Sequence, residues 1–367
     1  MTDSTHIHTT TATPVLPLAT EGATTSVDWP IGWPAALPDT GARGVLKFVP
    51  DDFVVDELPL ALPQGEGEHI WLWVEKRGAN TAWVAAELAR YAGVRELDVG
   101  FAGLKDRYAV TRQWFSIYFP KGETPDFLAL RHDEFRVLQQ QRHNKKLRRG
   151  DLLGNHFELL IRAVEGPIEA IEANLTAIRD HGYPNYFGPQ RFGHGGANVP
   201  QGIAMLRREI RVRNASKKSL YLSAVRSWLF NQVVAARVVA GDWTVPLEGE
   251  PLTASGTTTA PLWGRGRSLA TAQALAFEDA VLTPYTEVLD ALEHSGLSQE
   301  RRALVVKPER MSWQWQQADD QTPQLRVCFS LGAGYYATSL LQEVLAVSEP
   351  DRMLAVAADT TAAGENT

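Results

Sequence analysis

Strand-like alternation lies towards both ends of this chain and helical periodicity fills its middle, an order that restricts the fold more than any single motif. Residues 68–75 set Ile70, Leu72 and Val74 against Trp71 and Trp73, and residues 113–119 set Trp114, Ser116 and Tyr118 against Phe115, Ile117 and Phe119. Residues 44–58 read as a strand interrupted at Pro50, residues 99–102 and 156–162 as further strands, and residues 325–331 as a last one, leading through a Gly-rich turn into a helix over 338–346. An early helix is capped by Asn80 or Thr81, buries Val84, Leu88 and Ala92, and stops at Gly93. Residues 168–180, 219–239, 283–295 and 298–304 read as helices, and 249–268 as irregular chain. Strands at the ends with helices between predict an α+β domain made of residues 41–180 plus 306–350, interrupted by a mostly helical insertion over 181–305. The chain crosses between these parts near His181 and Leu304, where a hinge is expected. Residues 1–40, rich in Thr, Pro and Ala, and residues 351–367 are expected to be disordered tails.

Composition narrows the function classes. With 44% hydrophobic and 22% charged residues the chain reads as globular, and no apolar run approaches the ~18 residues of a membrane span. The Thr-rich start lacks the apolar core of a secretory signal, and the single cysteine, Cys328, excludes an internal disulfide, which together favour the cytoplasm. Cys328 lies in an alternating run and reads as a strand residue; no His/Cys cluster has zinc spacing, so no metal is expected. The net charge is −7, yet residues 131–226 carry 17 basic and 9 acidic residues. A basic middle within an acidic chain is the footprint of a localised phosphate-binding surface. Its densest clusters are Arg142, Lys145, Lys146, Arg148 and Arg149, and then Arg207, Arg208, Arg211, Arg213, Lys217 and Lys218.

Within the strand-rich portion, Gly103-Leu104-Lys105-Asp106-Arg107 places an acid between two cations on a tight loop joining two strands. Such a loop is a rigid mount for a carboxylate, and neighbouring cations stabilise its anion. Asn185-Tyr186-Phe187-Gly188-Pro189-Gln190-Arg191-Phe192-Gly193 is dense in aromatics and glycine, with Arg191 placed to reach a phosphate or the Asp106 loop. The adjoining Gly193-x-Gly195-Gly196 is not a nucleotide loop, because neither a long strand before it nor a Lys-Ser/Thr after it is present.

The run Phe101-Ala102-Gly103-x-Lys105-Asp106-x-x-Ala109-Val110-Thr111-x-Gln113-Trp114 resembles the catalytic segment of the TruD family of tRNA pseudouridine-13 synthases. In the same order, four further segments resemble that family: Leu46-Lys47 with Pro50-x-Asp52-Phe53-Val54-Val55; Gly150 with Gly154-Asn155-x-Phe157; the Asn185-to-Gly193 run; and Gly334-x-Tyr336-Ala337-Thr338-Ser339. The resemblance spans about Val45 to Val347 and supports the same two-part division. It implies a mixed or antiparallel pseudouridine synthase sheet carrying a mostly helical α/β TRUD insertion. The implied reaction isomerises uridine 13 in the tRNA D-arm. It breaks the bond from ribose C1′ to the uracil nitrogen, turns the base and joins C1′ to carbon 5, so neither cofactor nor metal is required. The target base must first leave the RNA stack.

By that resemblance Asp106 is the catalytic residue, acting as nucleophile on the base or on C1′, or as the base that removes a ribose proton. Lys47 is expected to pair with Asp106 or a phosphate. Phe53, Phe157 and Tyr336 are candidates to wall the uracil slot, and Asn155 to orient Asp106 or read a uracil edge. Tyr336 departs from the Phe more usual there, so its hydroxyl needs a partner. Lys105, next to Asp106 on extended backbone, should point away from it. RNA-backbone contacts are expected from Arg142, Lys145, Lys146, Arg148, Arg149, Arg191, Lys217 and Lys218. The partner is tRNA, with no membrane and no obligate protein partner. A non-catalytic RNA-binding protein or RNA chaperone would use the same basic middle and leave Asp106 without a task. A hydrolase would need a second carboxylate, such as Asp52 or Asp56, beside Asp106.

Overall fold

Alternation at the two ends of the chain converges on one mixed sheet. The computed structural model describes residues 29–350. Strands β1 (Arg43–Val45), β2 (Phe53–Pro59) and β3 (His69–Arg77) are followed by helix α1 (Thr81–Ala92). Gly93 closes α1 in the left-handed conformation, its N–H donating back to the last carbonyls. Then come β4 (Val99–Phe101), β5 (Val110–Tyr118), β6 (Phe135–His143), β7 (Leu152–Glu165) and α2 (Ile168–His181).

The chain now leaves the sheet through β8 (Tyr183–Pro184). It builds α3 (Asn198–Leu206), α4 (Ala215–Ala240), β9 (Thr259–Leu262), α5 (Ala272–Leu282), α6 (Thr286–Glu293) and β10 (Glu300–Ala303), and returns through β11 (Val305–Val306). Finally β12 (Glu309–Gln317), β13 (Pro323–Gly332), α7 (Ala337–Gln342) and β14 (Ala346–Ser348) rejoin the sheet.

The sheet runs β12-β13-β7-β2-β5-β3-β6, with β4 beside β5, and β1 between β7 and β14. Only β2/β5 and β1/β14 are parallel pairs, so the fold class is α+β with a mixed sheet. One face of the sheet carries two apolar clusters. Ile70, Leu72, Val74 and Phe115 pack under Val84 and Leu88 of α1. Phe157, Leu159, Val327 and Phe329 pack under Ile171, Leu175 and Ile178 of α2 and Leu340 and Leu341 of α7. Among the described residues no helix is long and apolar enough to cross a membrane.

Three expectations are corrected. The tail expected over residues 1–40 lies partly outside the described residues, but its last part is packed. Trp33 stacks on Tyr186 with ring centroids 5.9 Å apart, and the amides of Ala36 and Leu37 donate to Glu343 Oε2 at 2.8 and 2.9 Å. Residues 298–304, rich in good helix formers, instead supply β10, antiparallel to β9, which itself lies in the stretch read as irregular. Pairing and the ion pair of Arg301 with Glu278, 2.6 Å, override local propensity there. Helix α7 stops at Gln342, earlier than expected, because Ala346 N donates to Ala42 O and draws the chain into β14. Periodicity did not reveal α5 or β12. The expected tail over 351–367 lies outside the described residues.

Candidate active site

Between its two apolar clusters, the covered face of the sheet is polar. Register places Phe329, Phe157, Val55, Thr111, Lys76 and Phe135 in one row across six strands. The next row on the same face contains Leu331, Asn155 and Glu57, with Gln113 two residues beyond Thr111. Lys76 is 0% and Glu57 3% exposed, so two ionisable groups lie at inward positions of otherwise apolar strands.

The loop between β4 and β5 sits on these polar groups and is tied down almost residue by residue. Gln113 Nε2 donates to Gly103 O at 3.1 Å, and Lys105 N donates to Thr81 Oγ1 at 3.0 Å. Lys105 Nζ pairs with Glu57 Oε2 at 2.7 Å, Lys76 Nζ donates to Asp106 O at 2.6 Å, and Arg107 Nε donates to Gly78 O at 3.1 Å. The supports are themselves braced: Thr81 Oγ1 donates to Gln113 Oε1, and Trp114 N donates to Glu57 Oε1. The loop turns outward Leu104, 66% exposed, the Asp106 carboxylate, 53% exposed, and the exposed Arg107.

Lys47 Nζ meets that carboxylate at 3.4 Å from Oδ2, and lies equally far from Glu349 Oε1. Its ammonium is 4.3 Å above the Phe53 ring, a cation–π contact that fixes the head group. Lys47 adopts left-handed backbone, φ 56°, a strained state for a non-glycine residue. Lys47 thus faces the Asp106 carboxylate, and Lys105 points away from it into the protein. Burial lowers the Lys76 ammonium to about 8, against the opposing pull of Asp106 and with a smaller push from Lys105.

Phe53 and Phe157 are nearly fully buried, edge to face at 6.3 Å, and Phe157 stacks on Phe329 at 5.3 Å. They form the floor beneath Lys47 rather than an open stacking surface. Tyr336 alone of the three aromatics is half-open. Its hydroxyl accepts from Arg191 Nε at 3.0 Å, which supplies the partner its extra oxygen requires, and Arg191 Nη1 continues to Ser223 Oγ. Gly188 permits this contact, since a Cβ there would stand 2.6 Å from Thr338 Oγ1 and 3.1 Å from the Tyr336 ring. Asn155 shares the face of Phe157, and among the described residues its buried Oδ1 has no hydrogen-bond partner. Asn155 sits opposite Glu57, one strand from the Lys105 ion pair.

The basic candidates separate into two kinds. Lys145, Arg148, Arg149, Lys217 and Lys218 are exposed. Arg142 instead donates to Phe119 O at 2.6 Å and to Thr124, and Lys146 donates to Leu97 O. Asp52 and Asp56 are engaged elsewhere: Asp52 is fully buried on Arg162 at 2.7 Å, and Asp56 pairs with Arg112 at 3.1 Å. Asp106 therefore lacks the carboxylate partner that hydrolysis would take from either. A cavity of about 410 Å³ lies beside α7 and residues 35–40 and does not include Asp106. The Asp106 carboxylate is open to solvent.

Sequence reasoning missed Lys76, Glu57, Thr81 and Gln113. Continuing the inward parity of Ile70, Leu72 and Val74 reaches Lys76, and continuing that of Phe53 and Val55 reaches Glu57. Those two charges on an apolar parity were the available signal.

A family model described as tRNA pseudouridine synthase D (TruD) matches residues 36–214. A tRNA pseudouridine synthase D from Cellvibrio japonicus is 43% identical over 88% of this chain and 95% of its own. One from Aeromonas hydrophila is 46% identical over 84% of this chain and 93% of its own. A crystal structure described as a TruD protein from Methanosarcina mazei superposes with a TM-score of 0.67, covering 85% of this chain and 95% of that one at 20% identity, a likeness of fold.

Proposed function

Because the chain belongs to the tRNA pseudouridine synthase D family, we propose that it isomerises uridine 13 in the D-arm of tRNA to pseudouridine, with the Asp106 carboxylate acting at the target nucleotide. The observation that carries this reading is the mounting of Asp106: its backbone is fixed from below and its carboxylate is turned outward against Lys47. A pre-oriented carboxylate with a nearby cation suits any of three routes, attack on the base, attack on C1′ or removal of a ribose proton. Lys47 stabilises the anion and stands ready for an adjacent phosphate. Tyr336, held by Arg191, offers its half-open ring to the displaced uracil, and the unpartnered Asn155 Oδ1 is the polar group reserved for the bound state. Lys145, Arg148, Arg149, Lys217 and Lys218 hold the RNA backbone. The sheet-forming portions, 41–180 and 306–350, act as the catalytic domain and 181–305 as the TRUD insertion. A tRNA substrate fits work in the cytoplasm.

The test is incubation of the purified protein and its Asp106→Asn variant with unmodified tRNA carrying uridine 13, without added metal or nucleotide, and mapping of pseudouridine by a base-specific chemical adduct. Product at that position from the wild type alone is the expected result. Tight binding without product from either protein would turn the reading towards an RNA chaperone.

A further inference from the structure

We infer that Lys76 is a positioning residue for the reaction, holding the Asp106 backbone so that its carboxylate meets the nucleotide in one orientation; this rests on the reading of Asp106 given above. The geometry is specific. Lys76 stands towards the end of β3 with its side chain wholly removed from solvent. Its strand neighbours at that position, Thr111 on β5 and Phe135 on β6, carry no charge. The charged groups that face it, Asp106 and Lys105, come from the loop above, and Glu57 on β2 is taken up by Lys105. Among the described residues the Lys76 ammonium forms no ion pair, and its hydrogen bond goes to the Asp106 carbonyl at 2.6 Å.

A buried ammonium satisfied by a single carbonyl is a poor way to stabilise a sheet. An apolar side chain of similar length would avoid the desolvation cost. The benefit lies at the loop instead. Gly103, Lys105 and Arg107 are each tethered through their own contacts, and without Lys76 the Asp106 peptide would be the untethered link among them. Lys76 closes that gap directly under the reacting group. The ammonium also adds a second positive charge near the carboxylate, besides that of Lys47.

Wild type, Lys76→Met, Lys76→Gln and Asp106→Asn are compared for kcat and KM on uridine-13 tRNA, for tRNA binding and for thermal melting. Lys76→Met is expected to lower kcat about 100-fold, the scale of a 1 Å misplacement at a reacting group. KM and tRNA affinity should stay within about twofold, while the melting temperature holds or rises. Lys76→Gln, a shorter neutral donor, should fall between. If Lys76→Met does not fold, Lys76→Gln decides by the same criteria. Wild-type kcat in the folded variants overturns the inference, as does a loss of kcat that follows a lower melting temperature or weaker binding. An active Asp106→Asn overturns the reading of the site and this inference together. An inactive Asp106→Asn beside fully active Lys76 variants overturns this inference alone.

Discussion

Lys47 and Lys76 reach Asp106 at different atoms, its carboxylate and its carbonyl, and use different physics. Lys47 is a partly open cation whose strained backbone aims it at the carboxylate, so it is expected to act on the charge that develops during reaction. Lys47→Met should therefore lower kcat by roughly 10²–10³, the range for removing one aligned electrostatic group, as measured in single-turnover reactions. Lys76 contributes through its burial, and its signature is a pH dependence of stability. Its folded-state value, about 8, lies below the 10.5 of the free side chain. Between these values the unfolded chain binds more protons, so this group's contribution makes stability rise with pH. Lys76→Met lacks that dependence. Its advantage over wild type, roughly 1–4 kcal/mol below pH 8, should shrink towards zero as pH approaches 10.5 in denaturant titrations. A pH-independent gap would show that the ammonium is not the source. Asp106, Lys47, Asn155 and Tyr336 are the candidates that motif resemblance singles out in the sequence. Lys76 and Glu57 escape it, because a charge that continues an inward parity looks like the end of an apolar strand face.

At the scale of elements, the segment over residues 33–40 behaves as part of the fold rather than a tail. Trp33 touches Tyr186, Phe192 and Trp228, and Asn174 of α2 donates to Pro38 O at 2.9 Å. Its composition, Pro and Ala around one Trp, carries no periodicity, so tertiary contact alone reveals its order. Trp33→Ala should cost about 3 kcal/mol, the lower end for removing a large packed aromatic, in equilibrium unfolding. Glu343 anchors the same segment, and burial raises its carboxyl above 4.5 despite the amides of Leu37 and Ala36. Here the folded state holds the proton more tightly, so stability from this group declines as pH climbs above 4.5. Glu343→Gln keeps an oxygen acceptor for the two amides and lacks the titration, so its stability relative to wild type should improve as pH rises from 4.5 to neutrality. A constant difference would refute that. β10 teaches the complementary lesson: residues that favour a helix in isolation become a strand when β9 offers a partner and Glu278 a counter-ion for Arg301.

Across the whole molecule, charge and topology divide the labour. The exposed Lys217 and Lys218 lie in the first turn of α4, while Lys145 and Arg148 lie in the loop after β6. Neutralising either pair should flatten the salt dependence of tRNA binding by about 0.7–0.9 for each phosphate that is no longer neutralised, with little change in kcat at saturation. An unchanged slope for both pairs would remove them from the RNA surface. The two crossings where a hinge was expected are laced together. Val305 and Val306 pair with Pro184 and Tyr183, Asn185 N donates to Leu304 O at 2.7 Å, and Asn185 Nδ2 donates to Ala303 O. Viewed from the sheet, everything between Pro184 and Val305 is thus the loop of a single β-hairpin, entering and leaving through adjacent rungs of one ladder. A cassette attached by so narrow a neck can change its length away from these contacts without moving either end. In backbone terms, the ends left by residues 185–304 stand only an ordinary strand-to-strand gap apart.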